Sequence, residues 1–127
     1  MVGIVIVSHS KTLAEGVVEL SRMMAKPNIV AAGGMEDGSL GTDYNKILEA
    51  IKQVNEGDGV LILMDMGSAV MTTDMVIEEL NDIEILKADA PLVEGSVVAS
   101  ISACNGASLL EVKEACEKAK EERKFFD

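Results

Sequence analysis

The sequence predicts an α/β protein built on a four-stranded parallel sheet with helices on both faces. Short apolar runs alternate along the chain with segments whose apolar residues recur at helical spacing, and this alternation is typical of parallel sheets with crossover helices. The first run, residues 3–7, is continuously apolar and mostly β-branched, as strands buried on both faces are. The 127 residues contain no internal repeat and no low-complexity linker, so we expect a single domain over residues 1–127.

The first strand and the first helix are predicted within residues 3–27. The strand covers residues 3–7, and Thr12 with Glu15 has the spacing of a capping box that opens a helix. Pro27 ends this helix, because proline cannot continue the backbone hydrogen bonds. The inner face of the helix is predicted from the apolar residues at helical spacing, which are Leu13, Val17, Leu20 and Met24.

The second strand covers residues 28–32 and leads into a loop over residues 33–42 that contains four glycines. A second helix follows from about Asp43, since the apolar residues recur there at helical spacing. These residues are Tyr44, Ile47, Leu48, Ile51 and Val54. The glycine-rich loop therefore lies at the carboxyl end of strand two, directly before the start of a helix.

Two further strands follow in the second half of the chain. Strand three covers residues 60–64, and a more polar strand four covers residues 84–87. A third helix over roughly residues 68–80 connects them. We predict that the strands lie in the order 2-1-3-4, which places strands one and three side by side.

The remaining residues are predicted to be helical. Pro91 suits the first position of a helix over about residues 91–103. Ser108 and Glu111 form a second capping box, which opens a charged final helix that runs to about Lys124.

His9 and Asp65 are the candidate catalytic residues. Ligands bind to open parallel sheets beyond the carboxyl ends of the strands, where the chain order reverses. His9, the single histidine, follows strand one, and Asp65 follows strand three, so both face the same crevice. A carboxylate that accepts a hydrogen bond from one ring N–H fixes the tautomer and leaves the other nitrogen free to attack. Asp65 also suits the cap of the following helix, and the two roles are compatible.

Four residues near this crevice are candidates for binding a phosphoryl group. Helix starts after Ser10 and after Met66 present unpaired backbone N–H groups, which attract anions. Ser10 and Ser68 add hydroxyl donors, and Gly67 allows the backbone to approach closely. Thr42 ends the glycine-rich loop on the same side of the sheet. These groups predict a small, uncharged cradle for one phosphoryl group.

Composition excludes several other classes of function. The formal net charge is −11, and the sequence contains no visible basic patch. We therefore expect no nucleic-acid partner. Cys104 and Cys116 lack the spacing of a zinc site or a disulfide framework and fit a cytoplasmic chain. The apolar residues 3–7 are too few for a signal or membrane-spanning segment, so we expect no membrane association.

The chemistry that fits these residues is reversible phosphorylation of His9. Imidazole is a good leaving group, so a phosphoryl group on its nitrogen can be passed onward, and hydrogen-bond donors stabilise the charge of the transferring group. The carboxylates near His9 do not form a magnesium cluster, and the chain lacks phosphate-loop and dinucleotide fingerprints. We therefore expect no metal and no cofactor. Which ring nitrogen takes the phosphoryl group stays open at this point.

Four motifs carry a resemblance to a known family over nearly the whole chain. The sequence resembles the mannose-type IIA domains of the bacterial phosphoenolpyruvate-dependent phosphotransferase system. Within that family it is similar to the phosphocarrier subunits (DhaM type) of dihydroxyacetone kinase. The matching motifs are Gly3-Ile4-Val5-Ile6-Val7-Ser8-His9-Ser10, Gly41-Thr42-Asp43, Met64-Asp65-Met66-Gly67-Ser68-Ala69 and Ala90-Pro91-Leu92-Val93-Glu94-Gly95.

The resemblance implies a specific phosphotransfer reaction. His9 would accept a phosphoryl group from the carrier protein HPr and pass it to ADP that is bound on a separate subunit of dihydroxyacetone kinase. Asp65 would orient His9, and Thr42, Gly67 and Ser68 match the positions expected to hold the phosphate. The chain would thus be a subunit of a phosphotransferase with a covalent phosphohistidine intermediate.

The family also implies a homodimer with the mannose-type IIA fold. Mannose-type domains exchange a C-terminal strand in their dimer, whereas residues 118–127 here have the pattern of a charged helix and tail. The HPr-like and enzyme-I-like domains found in some members would be supplied by separate proteins.

Alternative functions differ in their partner or their chemistry. A IIA domain of a mannose-family sugar transporter would use the same histidine but pass the phosphoryl group to a IIB domain. A receiver domain with Asp65 as phosphoacceptor would need an acidic pair after strand one, where the sequence has Ser8-His9-Ser10. A flavodoxin-like electron carrier would need aromatic residues against its flavin, and the chain has two Phe and one Tyr.

Overall fold

Residues 1–126, which the computed structural model describes, form four strands and five α-helices. The strands are β1 (Gly3–Ser8), β2 (Asn28–Gly33), β3 (Val60–Met64) and β4 (Ile85–Lys87). The helices are α1 (Lys11–Ser21), α2 (Tyr44–Val54), α3 (Val70–Glu79), α4 (Leu92–Cys104) and α5 (Leu109–Glu117). None of these helices combines the length and the apolar character that crossing a membrane requires.

The four strands are parallel and lie in the order β2-β1-β3-β4, so the predicted fold class and strand order are confirmed. Side chains alternate between the two faces of β1, because successive residues of a strand point in opposite directions. Ile4 and Ile6 pack with α1, α4 and α5, whereas Val5 and Val7 pack with α2 and α3. β1 is therefore buried on both faces and hydrogen-bonded along both edges.

The helix α1 begins earlier and ends earlier than predicted. Its N-cap is Ser10, whose Oγ accepts a hydrogen bond from the backbone N–H of Leu13 at 3.1 Å. The capping box predicted at Thr12 is therefore wrong. The helix ends at Ser21, well before Pro27.

The inner face of α1 consists of small residues and also differs from the prediction. The residues buried on it are Ala14, Val17, Val18 and Ser21. Of the predicted face only Val17 is buried, and Leu13, Leu20 and Met24 are exposed. A Cβ atom on Gly33 would lie 2.6 Å from the Ser10 carbonyl oxygen and 2.7 Å from Ala14 Cβ. Because α1 approaches β2 this closely, its contact face accommodates alanine and valine in place of leucine.

The helices after β4 follow their predictions with shifted ends. Pro91 is the N-cap of α4 and not its first helical residue. Ser108 and Glu111 make both hydrogen bonds of the predicted capping box. However, α5 ends at Glu117 and continues only as a 3₁₀ turn to Glu121, so the helix predicted to residue 124 is shorter. The side chains of residues 122–126 are exposed, so little burial stabilises further helix there.

The two cysteines differ in their surroundings. Cys116 is completely buried in α5, and its thiol donates a hydrogen bond to the Lys113 carbonyl oxygen at 3.2 Å. Burial, together with the nearby carboxylate of Glu117, raises the pKa of the Cys116 thiol to about 11. Cys104 is only half-buried.

We expect iodoacetamide at pH 8 to alkylate Cys104 in the folded protein and to leave Cys116 unmodified. Alkylation requires the thiolate, and a thiol with a pKa of about 11 has a thiolate fraction of about 10⁻³ at that pH. Peptide mass spectrometry over time measures both sites. In urea both cysteines should react, which is the control. Equal rates at the two sites in the folded protein would contradict the prediction.

Candidate functional site

The structure brings His9 and Asp65 together at the carboxyl ends of β1 and β3. His9 directly follows β1, and Asp65 directly follows the neighbouring β3. His9 Nδ1 lies 2.9 Å from Asp65 Oδ1, and the two side chains are 23% and 10% exposed. The imidazole is therefore accessible from solvent, whereas its carboxylate partner is largely covered.

The carboxylate of Asp65 accepts four hydrogen bonds. Oδ1 accepts from His9 Nδ1 at 2.9 Å and from the backbone N–H of Met66 at 2.8 Å. Oδ2 accepts from the backbone N–H of His9 at 3.0 Å and from the hydroxyl of Ser8 at 2.9 Å. An ionised carboxylate offers about four lone-pair sites, so this group is saturated and its orientation is fixed.

These hydrogen bonds keep Asp65 ionised. Burial alone would raise its pKa, but the hydrogen bonds from the His9 backbone, the His9 ring and the Ser8 hydroxyl outweigh burial. The pKa of Asp65 is therefore lower than its ordinary value of 3.8. The charge is present throughout the neutral range, where it can stabilise a positive charge on the imidazole.

The fixed carboxylate also determines the tautomer of His9. An ionised carboxylate can only accept hydrogen bonds, so Nδ1 carries the ring proton in the neutral imidazole and Nε2 keeps its lone pair. Ser68 Oγ lies 2.9 Å from Nε2 and donates its hydroxyl proton to that nitrogen. Nε2 is thus the ring nitrogen without a proton, and Nδ1 is the one that faces the carboxylate.

Ser68 is positioned by a 3₁₀ turn over Gly67–Ala69, which precedes α3. The helix predicted over residues 68–80 is therefore divided into this turn and α3. The N-cap of the turn is Met66 and no side chain caps it, so Asp65 does not fill the alternative capping role. The first N–H groups of the turn have no acceptor within it, and the space around Gly67 is open.

The glycine-rich loop, predicted over residues 33–42, spans residues 34–43 in the structure, because β2 extends to Gly33 and α2 begins at Tyr44. This loop forms a second wall of the site. The backbone N–H of Gly41 donates to the His9 carbonyl oxygen at 2.9 Å. Thr42 Oγ1 lies 3.1 Å from Thr72 Oγ1, which joins the loop to α3. Lys46 Nζ donates to two backbone carbonyl oxygens at the start of the loop, those of Gly33 and Met35, each at 3.1 Å.

The four predicted phosphate-binding residues thus differ from one another in their contacts. Ser68 contacts the imidazole directly, and Gly67 lies beside it at the start of the same turn. Thr42 hydrogen-bonds to α3. Ser10 follows His9 in the chain, but its hydroxyl caps α1. Whether these four residues hold a phosphoryl group remains a prediction.

Sequence reasoning missed three residues that shape the site. Ser8 follows the strand predicted over residues 3–7 and has no predicted role, although a hydroxyl next to a reactive histidine is a signal for a hydrogen bond to its carboxylate. Thr72 and Lys46 lie within helices, and nothing in the sequence pattern separates them from ordinary surface positions. Their roles depend on the path of the glycine-rich loop, which the sequence does not specify.

The site offers one nucleophilic nitrogen, one fixed anion and several neutral donors. Within residues 1–126, no three histidine, cysteine or acidic side chains come together in an arrangement that could hold a metal ion. A nucleophilic imidazole of this kind can form a covalent bond to an electrophilic group and release it again.

The sequence is similar to proteins of a known family over most of its length. The family described as "PTS system fructose IIA component" (EIIA-man) matches residues 3–118. The phosphotransferase subunit DhaM of PTS-dependent dihydroxyacetone kinase from Lactococcus lactis is 42% identical over 117 residues, which cover 91% of this chain and 94% of that protein.

A second relative is much longer than this chain. The phosphoryl donor subunit DhaM of PEP-dependent dihydroxyacetone kinase from Escherichia coli is 42% identical over 120 residues, which cover 88% of this chain and 25% of that protein. The chain therefore spans about a quarter of this relative. The fold is also that of the phosphotransferase system component EIIA from Streptococcus agalactiae, with a TM-score of 0.73 at 18% identity over 100% of this chain and 97% of that one.

Proposed function

Because this chain belongs to the mannose-type IIA family of the phosphotransferase system, and to its DhaM-type branch, we propose that it is the phosphohistidine carrier of a dihydroxyacetone kinase. It accepts a phosphoryl group from HPr on His9 and transfers it to ADP bound on the nucleotide-binding subunit of the kinase. It works as a homodimer in the cytoplasm. The observation that carries this proposal is the contact of His9 Nδ1 with Asp65 Oδ1 at 2.9 Å, which leaves Nε2 of a partly exposed imidazole without a ring proton.

The transfer onto His9 forms one bond and breaks one. The lone pair of Nε2 attacks the phosphorus atom, the bond between phosphorus and the donor nitrogen breaks, and its electron pair stays with the donor. Nδ1 keeps its proton, so the ring becomes positively charged as the bond to phosphorus forms. The carboxylate of Asp65, 2.9 Å from Nδ1, stabilises this charge.

Ser68 changes its hydrogen-bond partner during this step. Its hydroxyl donates to Nε2 in the free protein, and that acceptor disappears when Nε2 binds phosphorus. The hydroxyl is then close enough to donate to a phosphoryl oxygen instead. The N–H groups that begin the turn over Gly67–Ala69 lie beside it and add donors without adding charge.

Transfer to a defined acceptor tests the proposal. The protein is phosphorylated with labelled phosphoenolpyruvate, enzyme I and HPr, and is then mixed with either the ADP-loaded kinase subunit or a mannose-type IIB domain. We expect labelled ATP with the kinase subunit and retention of the label with the IIB domain. The reverse result would favour the sugar-transporter alternative, and no labelling by HPr would refute both.

We expect Ser68→Ala to slow phosphoryl transfer from HPr by about 10²-fold to 10³-fold, which is the scale for loss of one donor to the transferring group. Rapid-quench measurement of the single-turnover rate checks this expectation. Ser102→Ala, which changes a half-buried serine on α4, is the matched control and should leave the rate unchanged. A rate equal to that of the wild type would show that Ser68 does not bind the transferring phosphoryl group.

A further inference from the structure

We infer that Ser8 is a positioning residue of this site, which holds the Asp65 carboxylate in the orientation that directs the ring proton of His9. This inference rests on the proposed function for its kinetic consequence. Ser8 is the last residue of β1, and its side chain is completely buried. Its hydroxyl has two hydrogen-bond partners, Asp65 Oδ2 at 2.9 Å and the backbone N–H of Ser10 at 3.0 Å.

The partners of Ser8 determine the direction of its hydroxyl proton. The backbone N–H of Ser10 can only donate, so it occupies an acceptor site on Ser8 Oγ. The Ser8 hydroxyl proton is then available for Asp65 Oδ2, which is acceptor-only in its ionised form. The Ser8 hydroxyl therefore links the backbone at the start of α1 to the carboxylate after β3, with both hydrogen bonds pointing toward the acid.

Ser8 differs from the other three donors to Asp65. Two of these are backbone N–H groups, of His9 and Met66, and the third is the reactive imidazole itself. Ser8 is thus the one donor of the four that can be changed without altering the reacting group. Its removal leaves Oδ2 with the backbone N–H of His9 alone, so the carboxylate gains freedom to rotate away from Nδ1.

Loss of this hydrogen bond has three measurable consequences. The pKa of Asp65 rises, because one of the hydrogen bonds that lower it is gone. A less fixed carboxylate also selects the Nδ1-protonated tautomer of His9 less strongly, so a part of the population carries its proton on Nε2. That part cannot attack phosphorus, so kcat of transfer falls. KM for the donor stays unchanged, because Ser8 is completely buried and cannot contact the donor.

The matched comparison is Ser8→Ala with Ser100→Ala. Ser100 is also completely buried, but its hydroxyl has no hydrogen-bond partner within the described part of the chain, so its loss controls for removing a buried serine. Ser8→Cys provides a graded variant, because a thiol is of similar size and is a weaker donor. Circular dichroism and thermal melting establish that each variant is folded.

Two measurements then decide the inference. For Ser8→Ala we expect kcat to fall by about tenfold, the scale for losing a residue that orients a reactive group, with a smaller loss for Ser8→Cys and none for Ser100→Ala. NMR titration should show a raised Asp65 pKa, and ¹⁵N spectra should show more Nε2-protonated His9. An unchanged Asp65 pKa and tautomer ratio in folded Ser8→Ala would overturn the inference. If HPr does not phosphorylate the wild type, the proposed function fails, and the NMR measurements still test Ser8.

Discussion

His9→Gln is expected to take up no phosphate from HPr. His9 is the single histidine of the chain, and its Nε2, 2.9 Å from Ser68 Oγ, is the ring nitrogen that carries no proton. Glutamine is similar in length and its amide can donate to Asp65, so the hydrogen bonds around the carboxylate persist while the nucleophile is lost. The variant should therefore fold like the wild type.

Acid-labile phosphate is the readout for this variant. Labelled phosphoenolpyruvate, enzyme I and HPr are incubated with wild type and His9→Gln, and peptide mapping under alkaline conditions locates the label. Circular dichroism is the control for folding. Label retained by folded His9→Gln at any other residue would show that His9 is not the phosphorylated group.

Asp65→Asn is expected to slow transfer from HPr strongly while His9 remains in place. The four donors that surround the carboxylate need four acceptor sites, and an asparagine amide replaces two of these with N–H donors. Where the amide donates to His9 Nδ1, the ring proton moves to Nε2, which is then no longer nucleophilic. We expect an increase in activation free energy of about 2–4 kcal/mol, which is roughly 30- to 1000-fold in rate.

A second aspartate provides the matched control. Asp74 lies on α3, is half exposed, and pairs with Lys87 at 2.5 Å. Asp74→Asn removes one exposed negative charge that is not paired with His9, so its single-turnover rate should equal that of the wild type. If Asp65→Asn also transfers at the wild-type rate, Asp65 has a structural role only.

The pH dependence of stability gives independent information on Asp65. Because its pKa in the folded protein is lower than the ordinary 3.8, the ionised carboxylate stabilises the fold fully above pH 3.8. This contribution is lost as the pH falls through the folded pKa. Urea unfolding should therefore show that the stability difference between wild type and Asp65→Asn shrinks as the pH falls below about 3.8. A difference that does not change with pH would contradict the assigned hydrogen bonds.

The parts of the site that depend on strand order were predictable from the sequence. The apolar runs predict the strands, and the order 2-1-3-4 then places His9 beside Asp65 without knowledge of any side-chain contact. Ser68 follows from the same argument, because it lies shortly after Asp65 at the same edge of the sheet. The contact of 2.9 Å between Ser68 Oγ and His9 Nε2 could not be predicted from the sequence, because a 3₁₀ turn stands where the start of a helix was expected.

The parts that depend on close packing between elements were not predictable. The sequence shows leucines at helical spacing in the first helix, and hydropathy alone places them inside. Gly33 reverses this choice, because its missing side chain brings α1 so close to β2 that Ala14 faces the sheet. The Thr42–Thr72 contact likewise depends on the path of the glycine-rich loop. Turn-forming residues indicate that a loop is present but do not determine its path.

The position of His9 at the end of the central strand has a consequence for dynamics. β1 is paired on both edges. The glycine-rich loop, in contrast, is attached by the Gly41 N–H to the His9 carbonyl oxygen and by the Thr42 hydroxyl to Thr72 on α3. We expect amide hydrogens of β1 to exchange with deuterium far more slowly than those of the loop. The reactive group would then stay at a constant place in the molecule while the loop beside it moves.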